Sequence, residues 1–258
     1  MPRLDILIAR NFGISRSAVT RLLRAGAVRA PDGGRLDDGR LQVEPSTLPW
    51  PIEVDGVTRQ LHARFEVLQH KPLGVVTAQR DDRHPTAYAL LADAPLFREL
   101  RSVGRLDLDT SGLLLWTTDG TLLHRLTHPR WGVERCYHAA LSAPWQPLPD
   151  ELALDDGHRP DIVELTAIGP EQCHPALRPE PDAVAHASIT ITGGRFHEVR
   201  RIFAALGSHV LSLCRVRFGG VTLPPTLAPA QWQPIDLRAH FRGLTPRDLD
   251  VADDDPAS

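Results

Sequence analysis

Three separated segments of this 258-residue chain carry side chains suited to covalent or acid–base chemistry: GRLDLDTSG (104–112), ERCYHAA (134–140) and GRFHEVRR (194–201). They offer one carboxylate (Asp107), one phenol (Tyr137) and one guanidinium, Arg200 or Arg201. A carboxylate in an apolar pocket tends to take up a proton, because burial disfavours its charge. A paired arginine opposes that and keeps the acid an anion ready to attack. A nearby phenol can stack on a planar ligand and take part in proton transfer. The competing reading makes Asp107, Asp109 and Thr110 ordinary turn formers or helix caps. Two acids without further ligands do not make a metal site, no HExxH spacing occurs, and the twelve histidines read as mostly surface residues. Neither a metal nor a nucleotide cofactor is expected.

The elements around these segments give them a place. Leu113, Leu114, Leu115 and Trp116 form an apolar run closed by Asp119-Gly120, the pattern of a short strand buried on both faces. Asp107 then lies in the loop feeding a core strand, where a scaffold commonly holds a reactive group. ARFEVLQHKPLGVVTA reads as strand, turn, strand; ALLADAPLF and TLLHRLTHP read as helices. Strands are expected near CYHAAL, DIVELTAI, AHASITITG, HVLSLCRVRFGGVTL and QWQPIDL, with an irregular stretch over 145–161 and a turn and helix in GGRFHEVRRIFAALG. Strands outnumber helices and mostly neighbour one another in sequence. The expected class is α+β, a mixed and mostly antiparallel sheet with flanking helices.

Residues 1–30 have a different character. Leu4, Leu7 and Ile8 stripe one short helix that ends near Gly13. A second helix starts at the N-cap Ser15 and stops at Gly26, with Ala18, Val19, Leu22 and Leu23 inside and Arg16, Thr20, Arg21 and Arg24 outside. AVRA, PDGGRLDDG and RLQV then suggest a hairpin. Six arginines against one acid in this stretch suit a helix laid on a phosphate backbone, with Arg16, Arg21 and Arg24 as contacts; the alternative is a solvated arginine face. Net charge is −3, yet five aspartates sit in the last eleven residues, and without them it becomes +2. Residues 45–62 read as a linker with at most an edge strand, and the tail beyond Arg242 as disordered. The domain scheme is therefore 1–44, a small RNA-binding unit; 45–62, linker; 63–242, catalytic domain; 243–258, acidic tail. Lys71, the only lysine, reflects a general bias toward arginine and is not evidence of function by itself. Cys136, Cys173 and Cys214 are scattered, no apolar run approaches a membrane span, and MPRLDILIARNFG has no signal-peptide pattern; these features point to the cytoplasm.

The segment from RLDILIARNFGISRSAVTRLLRAGAV to about Val43 resembles the small RNA-binding module named after ribosomal protein S4, departing from it at PDGGRLDD. VGRLDLDTSGLLLWTTDG, LTHPRWGVERCY, GRFHEVRRIFAALGSHV and HKPLGVVTAQRDDRHPT together resemble bacterial ribosomal RNA pseudouridine synthases of the RsuA-like branch, over nearly all of Arg3 to Leu237. The resemblance implies that Asp107 is the catalytic aspartate, Tyr137 the active-site tyrosine and Arg200 the basic partner of the aspartate. It implies that Val199 packs beside the target base and that Arg105 shapes the loop or meets a phosphate. Glu198, Arg135 and His70 depart from the usual Gln, Lys and Asn, and Glu198 leaves the network beside Arg200 open.

The implied reaction breaks the N-glycosidic bond of a flipped-out uridine and rejoins uracil through C5, with no cofactor because it is an isomerisation. Whether Asp107 attacks or only assists cleavage stays open. The implied partner is ribosomal RNA, possibly within an assembling small subunit, met by a monomer with no membrane partner. DDRHPTAYALL and LGSHVLSLCRVRFGGVTL resemble the small-subunit enzyme more than its large-subunit relatives. The alternatives are a large-subunit enzyme, a non-catalytic assembly factor, or a retaining glycosidase, which would need a second carboxylate about 5 Å from the first.

Overall fold

The computed structural model describes residues 1–244, and the chain divides into two compact units. The first comprises Met1–Glu66, Leu91–Arg101 and Thr117–Asp119; the second comprises Val67–Leu90, Ser102–Trp116 and the chain from Gly120. The expected acidic tail lies almost wholly outside the described residues.

In the first unit α1 (Leu4–Phe12) and α2 (Arg16–Ala25) bury Leu4, Leu7, Ile8, Val19 and Leu23 in one core. The Ser15 hydroxyl accepts the Ala18 N–H at 3.2 Å, and Gly26 closes α2 at φ +72°, the left-handed position that glycine occupies without strain. The stretch over 45–62, expected as a linker, is instead part of this unit. β1 (Val28–Arg29), β2 (Trp50–Val54) and β3 (Val57–Leu61) form an antiparallel sheet in that order. The reason is burial: Ile52, Val54 and Leu61 complete the core beneath the helices. The expected hairpin is correspondingly reduced. Val28 and Arg29 pair with Val54 and Glu53, while Gln42 bridges Arg3.

The second unit is built on a nine-stranded sheet. Its strands are β4 (Glu66–Lys71), β5 (Arg101–Val103), β6 (Thr110–Thr117), β7 (Arg135–Leu141), β8 (Ile162–Ala167), β9 (Ala185–Ile191), β10 (Val210–Phe218), β11 (Val221–Thr222) and β12 (Trp232–Pro234). The order is β12-β4-β6-β10-β7-β9-β8, with β11 on β10 and β5 on β6. β10 runs parallel to β6 and antiparallel to β7, giving the mixed, mostly antiparallel sheet that the sequence indicates. All eight residues of β6 are buried, so successive side chains enter core on both faces. Helices α3 (Gly120–Thr127) and α5 (Leu237–His240) supply Leu122, Leu126 and Leu237 to the cluster that contains Leu113 and Leu115. Helix α4 (Glu198–Ala205) buries Val199, Ile202 and Phe203.

Two local expectations fail. ALLADAPLF forms the short 3₁₀ turns Ala89–Leu91 and Phe97–Glu99 instead of a helix: Pro95 has no N–H to give, and Leu96 sits at φ +53°. The strand expected after Lys-Pro-Leu-Gly shrinks to one bridge, Val76 to Thr86.

One glycine sets the spacing of the central strands. Gly112 on β6 pairs with Arg215 on β10 and has φ +111°. A Cβ there would lie 2.3 Å from the Arg215 carbonyl oxygen and 2.7 Å from its nitrogen, both rigid backbone. Gly112→Ala should therefore cost at least about 1–3 kcal/mol. For a domain of this size that is a drop in Tm of roughly 2–4 °C per kcal/mol, readable by calorimetry. An unchanged Tm would show that β6 and β10 can separate at this point.

Candidate active site

The loop between β5 and β6 carries Asp107, and short contacts fix its course. The Asp107 carbonyl accepts the Thr110 N–H at 3.1 Å, closing a turn into β6. On one side the Leu108 carbonyl accepts from the Gly74 N–H at 2.9 Å. Thr77 brackets Leu106, its hydroxyl donating to the carbonyl at 2.9 Å and accepting the N–H at 3.0 Å. Lys71, at the end of β4, is fully buried and donates from Nζ to the carbonyls of Thr110 at 2.8 Å and Pro72 at 3.0 Å.

A lysine out of water is costly unless its charge is compensated. Burial pushes the Lys71 ammonium down to about 8; the carboxylates of Asp107 and Asp109 pull the other way, and Arg215 adds to the depression. The sole lysine is thus the cation beneath the Asp107 loop, a role its scarcity in the sequence did not reveal.

Arg200 does not pair with Asp107, contrary to what the resemblance implies. Its Nη2 meets the Asp109 carboxylate at 2.9 Å and the Asp109 carbonyl at 3.1 Å, and its Nη1 donates to the Val210 carbonyl at 3.1 Å. The physical reason is its placement in the first turn of α4, where it clamps the Asp109 end of the loop to the start of β10. The other candidate, Arg201, is bound to Asp155 and Asp156 and is not with Asp107 either. The Asp107 carboxylate lies near His197, with Nε2 3.8 Å from Oδ2.

Asp107 lines a cavity of about 580 Å³, within the range of small-molecule sites. Tyr137 on β7 and Val199 on α4, both nearly buried, are part of its wall, as are Leu213 and Arg215 of β10. Arg105 is exposed at the same cavity. Thus Asp107, Tyr137, Arg200, Val199 and Arg105 come together as expected, though with a different ion pairing. Arg16, Arg21 and Arg24 belong to the first unit. Arg16 holds the buried Asp5 at 2.8 Å, whereas Arg21 and Arg24 are exposed on α2. Burial would raise Asp5, but hydrogen bonds from Arg16 and Arg3 hold its carboxyl below the usual range. Arg16 is therefore also a fold residue.

Arg215 was missed by sequence reasoning. It is 1 % exposed, pairs across β10–β7 with Tyr137 beside a β-bulge, donates from Nε to the Leu113 carbonyl at 2.9 Å, and stacks over Phe218. An arginine between Cys214 and Val216 in the otherwise largely apolar strand VLSLCRVRF is the available signal. Glu198, left open by the sequence, accepts the Arg195 N–H at 2.9 Å and meets His158 Nε2 at 2.9 Å. Three residues lining the cavity carry buried polar atoms without a partner among the described residues: Thr110 Oγ1, Arg200 Nε and Arg215 Nη2. His124 on α3 and His128 just beyond its end have ring centroids 5.1 Å apart, a spacing the sequence reading did not single out. Among the described residues no group of three or more His, Cys, Asp or Glu could hold a metal ion with them.

Comparison with known proteins places this geometry. Residues 66–205 match the RNA pseudouridylate synthase family. The chain is similar to ribosomal small subunit pseudouridine synthase A of Yersinia pestis, 34% identical over 235 residues, covering 90% of this chain and 94% of that protein. It is equally similar to the protein of that name from Escherichia coli K12, 34% identical over 245 residues, covering 90% and 96%. A crystal structure of a pseudouridylate synthase aligns with a TM-score of 0.53 and 30% identity over 93% of this chain and 98% of that one.

The charge balance under the loop is directly measurable. Because Lys71 is the only lysine, protein labelled with ¹⁵N-lysine gives one side-chain signal. That signal should titrate near pH 8 in the folded protein. The lysine's ordinary value is about 10.4. Since burial lowers this pKa, Lys71 should make folding less unfavourable as pH rises through the interval from about 8 to the ordinary value. A titration near the ordinary value would mean that Lys71 is not enclosed beneath Asp107.

Proposed function

The chain belongs to the RNA pseudouridylate synthase family, and we propose that it converts one uridine of small-subunit ribosomal RNA to pseudouridine. The observation that carries this reading is the pairing of Asp107 with a cavity large enough for a nucleotide, whose wall includes Tyr137, Val199, Leu213, Arg200 and Arg215. A uracil presents a flat face for the apolar part of such a wall and two carbonyl oxygens for its polar part. It reaches a cavity of this kind only by leaving its stack.

In the proposed reaction the uridine enters beside Asp107. The bond between C1′ and N1 breaks, with Asp107 acting at the glycosidic bond, as nucleophile or as the carboxylate that stabilises the developing sugar cation. The freed uracil turns in the cavity, whose wall includes Arg200 and Arg215. The C1′–C5 bond then forms, C5 loses its proton, and N1 gains one. Tyr137 packs on the ring and takes part in the C5 proton transfer. Atoms balance without an external reagent, so no cofactor is required.

The arginine-bearing helix α2 supports a second role for the first unit, as an S4-like module in which Arg21 and Arg24 meet phosphates. Such contacts add affinity and register but carry no sequence information. Arg105, at the cavity, is assigned the phosphate nearest the target. The expected setting is the cytoplasm, with the protein acting as a monomer on ribosomal RNA during subunit assembly. Among the described residues no helix is long and apolar enough to cross a membrane. The relatives named for the small subunit support that subunit over the large one.

Pseudouridine mapping of both ribosomal RNAs, with and without the gene, tests this reading. One mark should vanish from the small-subunit RNA and return with the wild-type gene. Loss of a mark only from the large-subunit RNA would refute the substrate assignment, and loss of none would refute the activity.

A further inference from the structure

Phe196 is 73% exposed, although the side chains around it in sequence are committed to the site. Its ring stacks on His197 with centroids 3.8 Å apart and planes inclined by 17°. Both residues line the cavity that holds Asp107. Solvating a phenylalanine at such a rim forgoes the stabilisation its burial would bring, and a ligand that covers the ring would recover it.

The backbone holds this pair rigidly. His197 has φ +51°, a left-handed conformation that non-glycine residues keep only where their surroundings enforce it. On the N-terminal side Arg135 donates to the carbonyls of Thr192, at 2.5 Å, and Gly193. On the C-terminal side the buried Glu198 accepts the Arg195 N–H and is itself held by His158. The carboxylate occupies the space that a Cβ on Gly193 would take, the nearest oxygen lying 2.4 Å from that position, so a side chain there would displace Glu198 from these contacts. The turn 194–197 is thus pinned at both ends, with one face of the Phe196 ring on His197 and the residue open to solvent.

The occupant follows from charge and from the reaction. Arg195 and Arg105 are exposed and line the same cavity, a setting that favours a polyanion over an apolar peptide or lipid. When a uridine leaves its stack, its neighbour in the strand loses a stacking partner. An aromatic face beside the cavity replaces that partner, and every base has a π-face that can use it. We propose that Phe196, backed by His197, is the stacking platform for the base that flanks the target uridine. Phe196 thereby stabilises the RNA in its flipped conformation and acts as a substrate-positioning residue. This inference rests on the reading of the site as one that isomerises uridine in RNA.

The test compares wild type, Phe196→Ala, Phe196→Leu and Phe196→Trp on ribosomal RNA and ribosomal particles purified from a strain lacking the gene. Pseudouridine formation gives kcat/KM. Alanine and leucine should each lower it by about 5- to 150-fold, the range set by loss of one base–aromatic stack. Tryptophan should stay close to wild type. All four proteins should melt alike, because the side chain is exposed. The slope of affinity against salt should also be unchanged, because stacking releases no counterions. Wild-type kinetics in Phe196→Ala would overturn the platform, as would full rescue by leucine, which fills space without a π-face. A loss of activity accompanied by a lowered Tm in every impaired variant would assign Phe196 to folding instead. Absence of turnover by the wild type on either RNA would remove the reading on which the platform rests, an outcome distinct from normal wild-type turnover that Phe196→Ala matches.

Discussion

A buried ammonium under a loop of carboxylates is the interaction on which the site depends. Lys71 sits where water cannot reach it, and it is tolerated because two carbonyls accept its hydrogens and Asp107 and Asp109 supply opposite charge. The arrangement is reciprocal. The loop needs the lysine to hold the Thr110 carbonyl, and the lysine needs the loop's carboxylates, since breaking up a buried charge system typically costs about 3–5 kcal/mol. Gly74 and Thr77, just downstream of Lys71, fix Leu108 and Leu106 on either side of Asp107. One short stretch, 71–77, therefore locates the candidate nucleophile.

Arg200 performs the matching task from the far side of the sequence. By holding both the carboxylate and the carbonyl of Asp109, and the carbonyl of Val210, it joins the loop, α4 and β10. This division leaves Asp107 partly accessible, with the imidazole of His197 at 3.8 Å. A direct Asp107–Arg200 pair would occupy the carboxylate oxygens with guanidinium hydrogens; here the arginine fixes the neighbour instead. Tyr137 and Arg215 face each other in register across β7 and β10, and Gly112 brings β6 close to the same row. The rigid sheet places the cavity walls, and the pinned loop places the acid.

Much of this was legible in the chain. The doubly buried β6, the Ser15 and Gly26 caps, the preference for strands, and the meeting of Asp107, Tyr137 and Val199 all follow from local pattern or motif. What was not legible depended on contacts distant in sequence. Residues 50–61 have three prolines nearby and no clear period, so their hairpin emerges only when Ile52, Val54 and Leu61 find the core under α1 and α2. Pro95 and Leu96 broke a helix that composition favoured. Lys71 read as a by-product of a bias toward arginine and Arg215 drew no reading, and their meaning lies in the backbone carbonyls of Thr110 and Leu113 that they reach. The Asp109 partner of Arg200 was hidden because two aspartates two residues apart cannot be told apart by spacing alone.

The central claim is that Asp107 does the chemistry and the rest of the frame positions it. The direct measurement is single-turnover pseudouridine formation by Asp107→Asn on ribosomal RNA that wild type modifies, with RNA affinity and Tm measured on the same samples. An amide keeps the shape of the carboxylate but cannot act as the nucleophile or stabilise a sugar cation by charge. The account predicts no product above the level without enzyme, with affinity close to wild type and a folded protein. Measurable turnover by folded Asp107→Asn would contradict it, and the catalytic role would have to pass to another group lining the cavity.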